Sequence, residues 1–188
     1  MKIISFYTNE KLLIKKAVSG KREAQQLIYE NHSPKMLSVC RQYIKDLQFA
    51  EDVMVQGFLK VFTHLGSFKY EGSFEGWIRK IMVRECISYL RKRQPIVFDG
   101  EMIENHSQDY VFNGSELEVN EIQTLIDALP EGYKLVFGLY ALEGYKHSEI
   151  AEMLQISEST SKSQLYKARK RLQVELRSLE VYDQKHSQ

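Results

Sequence analysis

The sequence predicts an all-α protein: two small helical domains joined by an acidic flexible linker, the second containing a helix-turn-helix. Three observations lead there. Apolar residues recur at the 3.6-residue helical period over long segments, while the two-residue alternation of strands is sparse. The three prolines, Pro34, Pro95 and Pro130, each stand at a plausible helix boundary. Charge is segregated: residues 1–94 hold 17 Lys+Arg against 9 Asp+Glu, residues 95–121 hold 7 acids and no base, and residues 122–188 hold 9 of each. The expected division is one domain over 1–94, a linker over 95–116 and a second domain over 117–188.

In the first domain, helices are expected at 9–18, 21–31, 34–44, 50–65 and 74–93. Ser33-Pro34 reads as a cap followed by proline at the first helical position. Gly66-Ser67 stops the fourth helix, and Glu71-Gly72-Ser73 makes a turn before the fifth. There Phe74, Trp77, Ile78 and Ile81 recur at helical spacing, which predicts a buried face. From Pro95 to Gly114 periodicity fails among one proline, two glycines and two asparagines, so a tether is expected.

Four helices are expected beyond it, at 117–128, 131–142, 147–154 and 158–178, with 182–188 fraying. The last two form the helix-turn-helix. Ile150, Ala151 and Leu154 line one face of the first; Gln155, Ile156 and Ser157 break it; Ser157 caps the second. The second helix turns Leu165, Ala168, Leu172 and Leu176 inward. From Ser159 to Gln173 it carries five basic residues and no acidic one. A helix apolar on one side, basic on the other and led by small polar residues fits the major groove of DNA.

Composition narrows the rest. No apolar run is long enough to span a membrane, and residues 1–18 are broken by Asn9, Glu10, Lys11, Lys15 and Lys16, unlike a secretory signal. A cytoplasmic protein is expected. Cys40 and Cys86 are far apart in helical patterns, and neither CxxC nor HxxxH spacing occurs. Buried reduced thiols are expected, with no metal and no cofactor.

A second constellation precedes the linker. Phe68, Tyr70, Phe74 and Trp77 surround a turn and a helix start, followed by Arg79, Lys80, Arg84, Arg91, Lys92 and Arg93. Aromatic rings stack on unpaired bases and cations hold phosphates. For Phe74 and Trp77 the spacing favours core packing; for Lys69, Tyr70 and the basic residues it favours nucleic acid.

Together these segments resemble bacterial RNA polymerase sigma factors of the extracytoplasmic-function (ECF) subfamily. Three stretches carry the likeness. Residues 50–59, beginning Ala50-Glu51-Asp52, are similar to the helix that binds the polymerase clamp. Residues 68–93 are similar to the segment that melts and reads the minus-ten element, and 144–172 to the domain that reads the minus-thirty-five element. The departures are Gln155 and Ser159, where glycine is common, and Lys146 at a capping position often held by Ser or Thr. Gln155 is placed where glycine would more easily adopt the turn conformation.

The resemblance implies a promoter-specificity subunit, not an enzyme. Its partners would be core RNA polymerase, promoter DNA and an anti-sigma factor, in this family often membrane-bound. Glu51, Asp52, Gln56 and Leu59 would face polymerase, although carboxylates near a helix start also stabilise the helix itself. Ser159, Thr160, Lys162, Ser163 and Tyr166 would meet base edges in the minus-thirty-five element, and Lys167, Arg169 and Arg171 its phosphates. Ser161 fits either base contact or the core. Lys69 and Tyr70, in the loop over 67–73, would capture a flipped minus-ten base, while Arg79, Lys80, Arg84 and Arg91 hold the strand. The acidic linker would lie where nascent RNA must pass, or act only as a solvated tether.

Three rivals remain at this level. A conventional helix-turn-helix regulator would bind duplex operator DNA without polymerase. A sigma-like regulator would bind polymerase without directing initiation. An enzyme would need a nucleophile-base pair, a metal spacing or a phosphate-binding glycine loop, and no such pattern appears in the sequence.

Overall fold

The computed structural model describes residues 10–93, 98 and 119–186, and the expected linker over 95–116 lies almost entirely outside them. The chain divides into two compact units, Met1–Gln94 and Pro95–Gln188. Every regular element among the described residues is helical.

In the first unit α1 (Glu10–Val18) buries Leu13, Ile14 and Ala17. Next comes α2 (Arg22–Tyr43), a single helix that runs through Pro34 where two helices were expected. Proline removes one backbone donor and costs a helix interior about 3 kcal/mol. Here the buried row Ala24, Ile28, Met36, Val39 and Cys40 continues in helical register across it. Pro34 itself is exposed, so its ring displaces no core atom. Packing of the whole face overrides the local break signal, and Ser33 is not a cap.

The third helix, α3 (Leu47–His64), starts one turn earlier than expected because Asp46 is its cap: the carboxylate accepts the Phe49 N–H at 3.1 Å. Its buried face is Ala50, Val53, Met54, Gly57, Phe58 and Val61. Gly57 lets the helices pack closely: a Cβ there would stand 2.3 Å from the sulfur of buried Met82, whose side chain would have to shift. A short 3-10 turn, Leu65–Ser67, leads to the loop before α4 (Phe74–Arg93). In α4 the buried row is Phe74, Ile78, Met82, Val83, Cys86 and Ile87. Trp77 and Ile81, expected in this row, are half-buried at its edge. Helices α2, α3 and α4 pack on one another, and α1 lies against α2 and the 3-10 turn. Cys40 and Cys86 are free and buried. The Cys86 thiol is held well above its ordinary range by its hydrogen bond with Cys40 and by burial.

The second unit begins with α5 (Val119–Asp127) and α6 (Glu131–Phe137), where Lys134 pairs with Asp127. The helix expected over 131–142 changes character at its end, and Gly138–Leu142 form a π-helical turn. Its wider bonding continues in Glu143 N–H to the Gly138 carbonyl, at 3.0 Å. Leu139 is fully buried by this turn while Tyr140 stays at the surface.

Helix α7 (His147–Leu154) has Lys146 at its cap, and the Glu149 carboxylate accepts the Lys146 N–H at 2.8 Å. Only this half of a capping box is made, because a lysine ammonium accepts nothing. Gln155 ends α7 at φ 56°, ψ 46°, and the Ile156 N–H donates to the Ala151 carbonyl at 3.0 Å. That is a left-handed helix stop built on a residue with a Cβ. Such a conformation costs an ordinary L residue about 1–2 kcal/mol, and glycine far less. Gln155→Gly is expected to stabilise the second unit by about 0.5–1 kcal/mol after the entropy cost of glycine. Chemical denaturation of both proteins checks it; an unchanged or lower midpoint would show the turn to be unstrained.

The last helix, α8 (Glu158–His186), extends beyond the expected 158–178. Ser157 is its cap, as the sequence predicts, its hydroxyl accepting the Thr160 N–H at 3.0 Å. Leu165 and Ala168 are buried; Leu172 and Leu176 are half-buried.

Candidate nucleic-acid interface

The outward side of α8 follows from its register. At 100° per residue, Ser159, Lys162, Tyr166, Arg169 and Lys170 fall on one stripe, with Ala168 on the opposite side and Leu165 at the stripe's edge. Ser159, Lys162, Arg169 and Lys170 are exposed and Tyr166 is half-buried. Half-buried Lys167 and exposed Arg171 form a second row at four-residue spacing. Lys162 is shared with Glu158, one turn back, at 3.6 Å. Both groups are more than half exposed, so the pair is weak and leaves Lys162 available to a stronger anion.

The hydroxyl-rich start of α8 is organised around its cap. The Ser157 hydroxyl lies 2.7 Å from the Ser159 hydroxyl and 2.8 Å from that of Thr160. Ser163 departs from expectation: it is buried, and its hydroxyl donates to the Thr160 carbonyl at 2.9 Å. A base edge does not reach it, so it leaves the set of direct contacts. Ser161 resolves to the core reading, fully buried with its hydroxyl 2.9 Å from His147 Nδ1. Gln164 is also fully buried, a polar core residue with no signal in the hydrophobic pattern.

In the first unit the loop over 67–73 presents Lys69 and Tyr70 to solvent. Tyr70 sits at φ 61° and Gly72 at φ 97°. A bulky residue in the left-handed region is rare and persists only where neighbours hold it. Here the Phe68 ring lies 4.9 Å from the Tyr70 ring, and the Lys11 ammonium of α1 lies 5.2 Å from its centre. Phe68 continues to Phe74 and Trp77, which stack at 5.9 Å. The result is an aromatic ladder, buried at Phe74 and open at Tyr70. Ser73 caps α4 by accepting the Gly76 N–H at 3.0 Å, which fixes where the loop ends.

Along α4, Lys80, Arg84 and Arg91 stand at four- and seven-residue spacing on one exposed stripe. Arg79 lies one residue, about 100°, off that stripe and is half-buried. The structure therefore brings three of the four expected cations together and sets Arg79 apart.

On α3 the residues Glu51, Asp52, Gln56 and Leu59 are all exposed. Since α3 begins at Leu47, the two carboxylates lie in its second turn, and no acid occupies the first. Their value to the helix dipole is correspondingly small, because that effect fades within a turn. Leu59 is 63% exposed and Val55 46% exposed. Val55 was missed, since apolar residues in a helix read as core until the register is known.

Two histidines, one per unit, titrate below the ordinary value of 6.5. For His32 the main cause is burial, opposed by Glu75 and Glu10 and reinforced by Lys35. For His147 it is burial, then Lys162 and Arg169, with Glu158 opposing. An unfolded histidine takes its proton first as pH falls, so acid favours the unfolded chain. Each unit should lose stability as pH falls below about 6.5 through the lower folded value. Thermal melts between about pH 7.5 and 5.5 check this. His32→Gln and His147→Gln should each flatten the dependence, and an unchanged slope in both would refute the assignment.

Against known proteins, residues 28–96 match the family model for sigma-70 region 2, and residues 120–172 match sigma-70 region 4. The RNA polymerase sigma-H factor of Pseudomonas aeruginosa is 26% identical over 181 residues, covering 89% of this chain and 93% of its own. SigW, an ECF RNA polymerase sigma factor of Bacillus subtilis, is 27% identical over 186 residues, covering 88% and 96%. SigV of the same organism is 29% identical over 147 residues, covering 78% and 87%. The solved structure of CnrH in complex with the cytosolic domain of CnrY superposes with a TM-score of 0.50 at 20% identity. It covers 90% of this chain and 97% of CnrH, and supports the fold. Two sigma-70 regions in their proper order, each folded with its exposed basic stripe, leave one reading: the chain belongs to the sigma-70 family and is an RNA polymerase sigma factor of the extracytoplasmic-function type.

Proposed function

We propose that the two units divide the work of an alternative sigma factor, which binds core RNA polymerase and directs promoter-specific initiation. The outer face of α3 docks on polymerase through Glu51, Asp52, Val55, Gln56 and Leu59. The recognition helix α8 enters the major groove of the minus-thirty-five element. Ser159, Thr160, Lys162 and Tyr166 meet base edges there; Lys167, Arg169 and Arg171 hold phosphates, with Lys170 added from the same stripe. Base contacts specify and phosphate contacts position. The observation that carries this reading is the outer stripe of α8, with Lys162, Arg169 and Lys170 exposed on it while Ser161, Gln164 and Ala168 on the far side are packed.

The loop over 67–73 captures an unpaired minus-ten base through Lys69 and Tyr70, and Lys80, Arg84 and Arg91 hold the strand. Extrusion of a base costs a few kcal/mol, and stacking on an aromatic returns about 1–3 kcal/mol. Melting is thus driven by binding, with no catalytic chemistry required of this chain. The acidic stretch over 95–121 suits a channel that otherwise holds RNA. The division at 1–94, 95–116 and 117–188 follows these roles.

An anti-sigma factor that covers the α3 face and the basic stripes is the expected regulator. The protein acts in the cytoplasm, where polymerase is; among the described residues no helix is long and apolar enough to cross a membrane. Run-off transcription with purified core polymerase on a promoter library tests the proposal. Transcripts that start only when the protein is present support it, and their upstream sequences give both elements. Specific retention of duplexes by the protein alone, without transcripts, would favour the conventional regulator.

A further inference from the structure

Four side chains in the second unit form a row that begins and ends on α8. The Arg169 guanidinium carbon lies 5.6 Å from the centre of the Tyr140 ring. That ring stacks on His147 with centroids 4.7 Å apart and planes 23° apart. His147 Nδ1 lies 2.9 Å from the Ser161 hydroxyl. Tyr140 comes from the π-helical turn and His147 from the first position of α7.

We infer that Tyr140 and His147 are positioning residues that set the angle at which α8 presents its outer stripe to DNA. The inference rests on reading α8 as the groove-entering helix. Ser161 and Arg169 are eight residues apart, about 12 Å along the axis. Two grips at that separation oppose rocking of the helix, which a single contact at one end would permit. Leu165 and Ala168 supply apolar packing between the grips, and such packing limits distance better than orientation. A docking angle matters because base readout needs donors within hydrogen-bond range of particular edges.

The row also leaves Arg169 available for DNA. The contact with one ring does not use up the five donors of a guanidinium, and Arg169 is exposed, so donors remain to meet a phosphate. Tyr140, 36% exposed, is open enough to stand beside the duplex without being a base contact itself. Neutral His147 suits the arrangement, since a charged ring would crowd the cations of Lys162 and Arg169.

The test uses holoenzyme on a promoter recovered from the run-off selection and on the same promoter with its upstream element scrambled. Tyr140→Leu keeps an apolar side chain but removes the ring. It is expected to reduce the ratio of matched to scrambled binding about fivefold, the scale of one partly exposed cation–π contact. Tyr140→Phe should retain the ratio, since the hydroxyl takes no part. Ser161→Ala, which releases the other grip, should reduce it too, and the double variant should lose less than the two losses combined. Equal loss on both duplexes, an unchanged ratio, or full additivity would overturn the inference. Should Tyr140→Leu fail to fold, Ser161→Ala alone carries the test with the same opposed outcomes. Lack of discrimination in the unsubstituted protein would instead overturn the groove reading, and the inference with it.

Discussion

Lys162→Glu is expected to lower promoter binding by the holoenzyme at least about 100-fold, the equivalent of roughly 2.7 kcal/mol, while core polymerase binding stays unchanged. Lys162 is on the outer stripe of α8 with its side chain 55% exposed, one turn into the helix, where residues reach base edges. A good base contact is worth about 1–3 kcal/mol, and reversal adds repulsion from phosphate. The stability cost is small. The substitution exchanges a weak pair with Glu158 for a like-charge pair at the same spacing, worth a few tenths of a kcal/mol. Fluorescence anisotropy on promoter duplexes, beside a polymerase pull-down, measures both quantities. Joint loss of both would mean that the fold was damaged or that α8 serves polymerase instead.

Leu59→Asp should do the reverse. Its side chain is exposed, so the folded unit loses little beyond helix propensity, about 0.5 kcal/mol. At an apolar contact the same change places a charge where water is excluded, and affinity for core polymerase should fall about 30- to 100-fold. Binding titrations with labelled core polymerase, together with thermal melting, separate the two. An unaltered affinity would remove the outer face of α3 from the polymerase interface. The pair of substitutions forms a crossed test, since each should abolish one partner and spare the other.

The units differ in what holds their functional surfaces. On α8 the residues proposed to face the groove sit on a helix whose start, cap and inward face are each defined by packing or hydrogen bonds. The loop over 67–73 is defined instead by ring contacts and by a left-handed Tyr70. A strained, aromatic-held loop can exchange its partners for a base at low cost, whereas a helix in a groove must keep its shape. That contrast suits the proposed division, in which one unit reads duplex and the other traps single strand.

Much of this was legible in the residues. Periodicity predicted α4 and α7 to the residue, because their apolar rows and bounding turns agree. The Ser157 cap and the left-handed Gln155 follow from local chemistry, which depends only on adjacent residues. The basic face of α8 is likewise local, since one helix fixes the direction of its own side chains. Membership in the sigma family could be read from three motifs in order, without any knowledge of their packing.

Other features were set by contacts between distant residues. Pro34 signals a boundary, yet α2 continues because helices α3 and α4 bury its row on both sides of the proline. The start of α3 is an exception, a local cap at Asp46 overlooked in the sequence; it places Glu51 and Asp52 in the second turn, away from the helix end. Ser163 looked like a reader of bases but is buried, and exposed Val55 was not singled out at all. Tyr140 had no signal at all: its place beside His147 and Arg169 depends on a π-helical turn. Residue pattern determines which faces are apolar or charged, because that is a property of each segment. Which face meets which, and which polar group is thereby enclosed, is a property of the assembled unit, where burial of a whole row outweighs any single local preference.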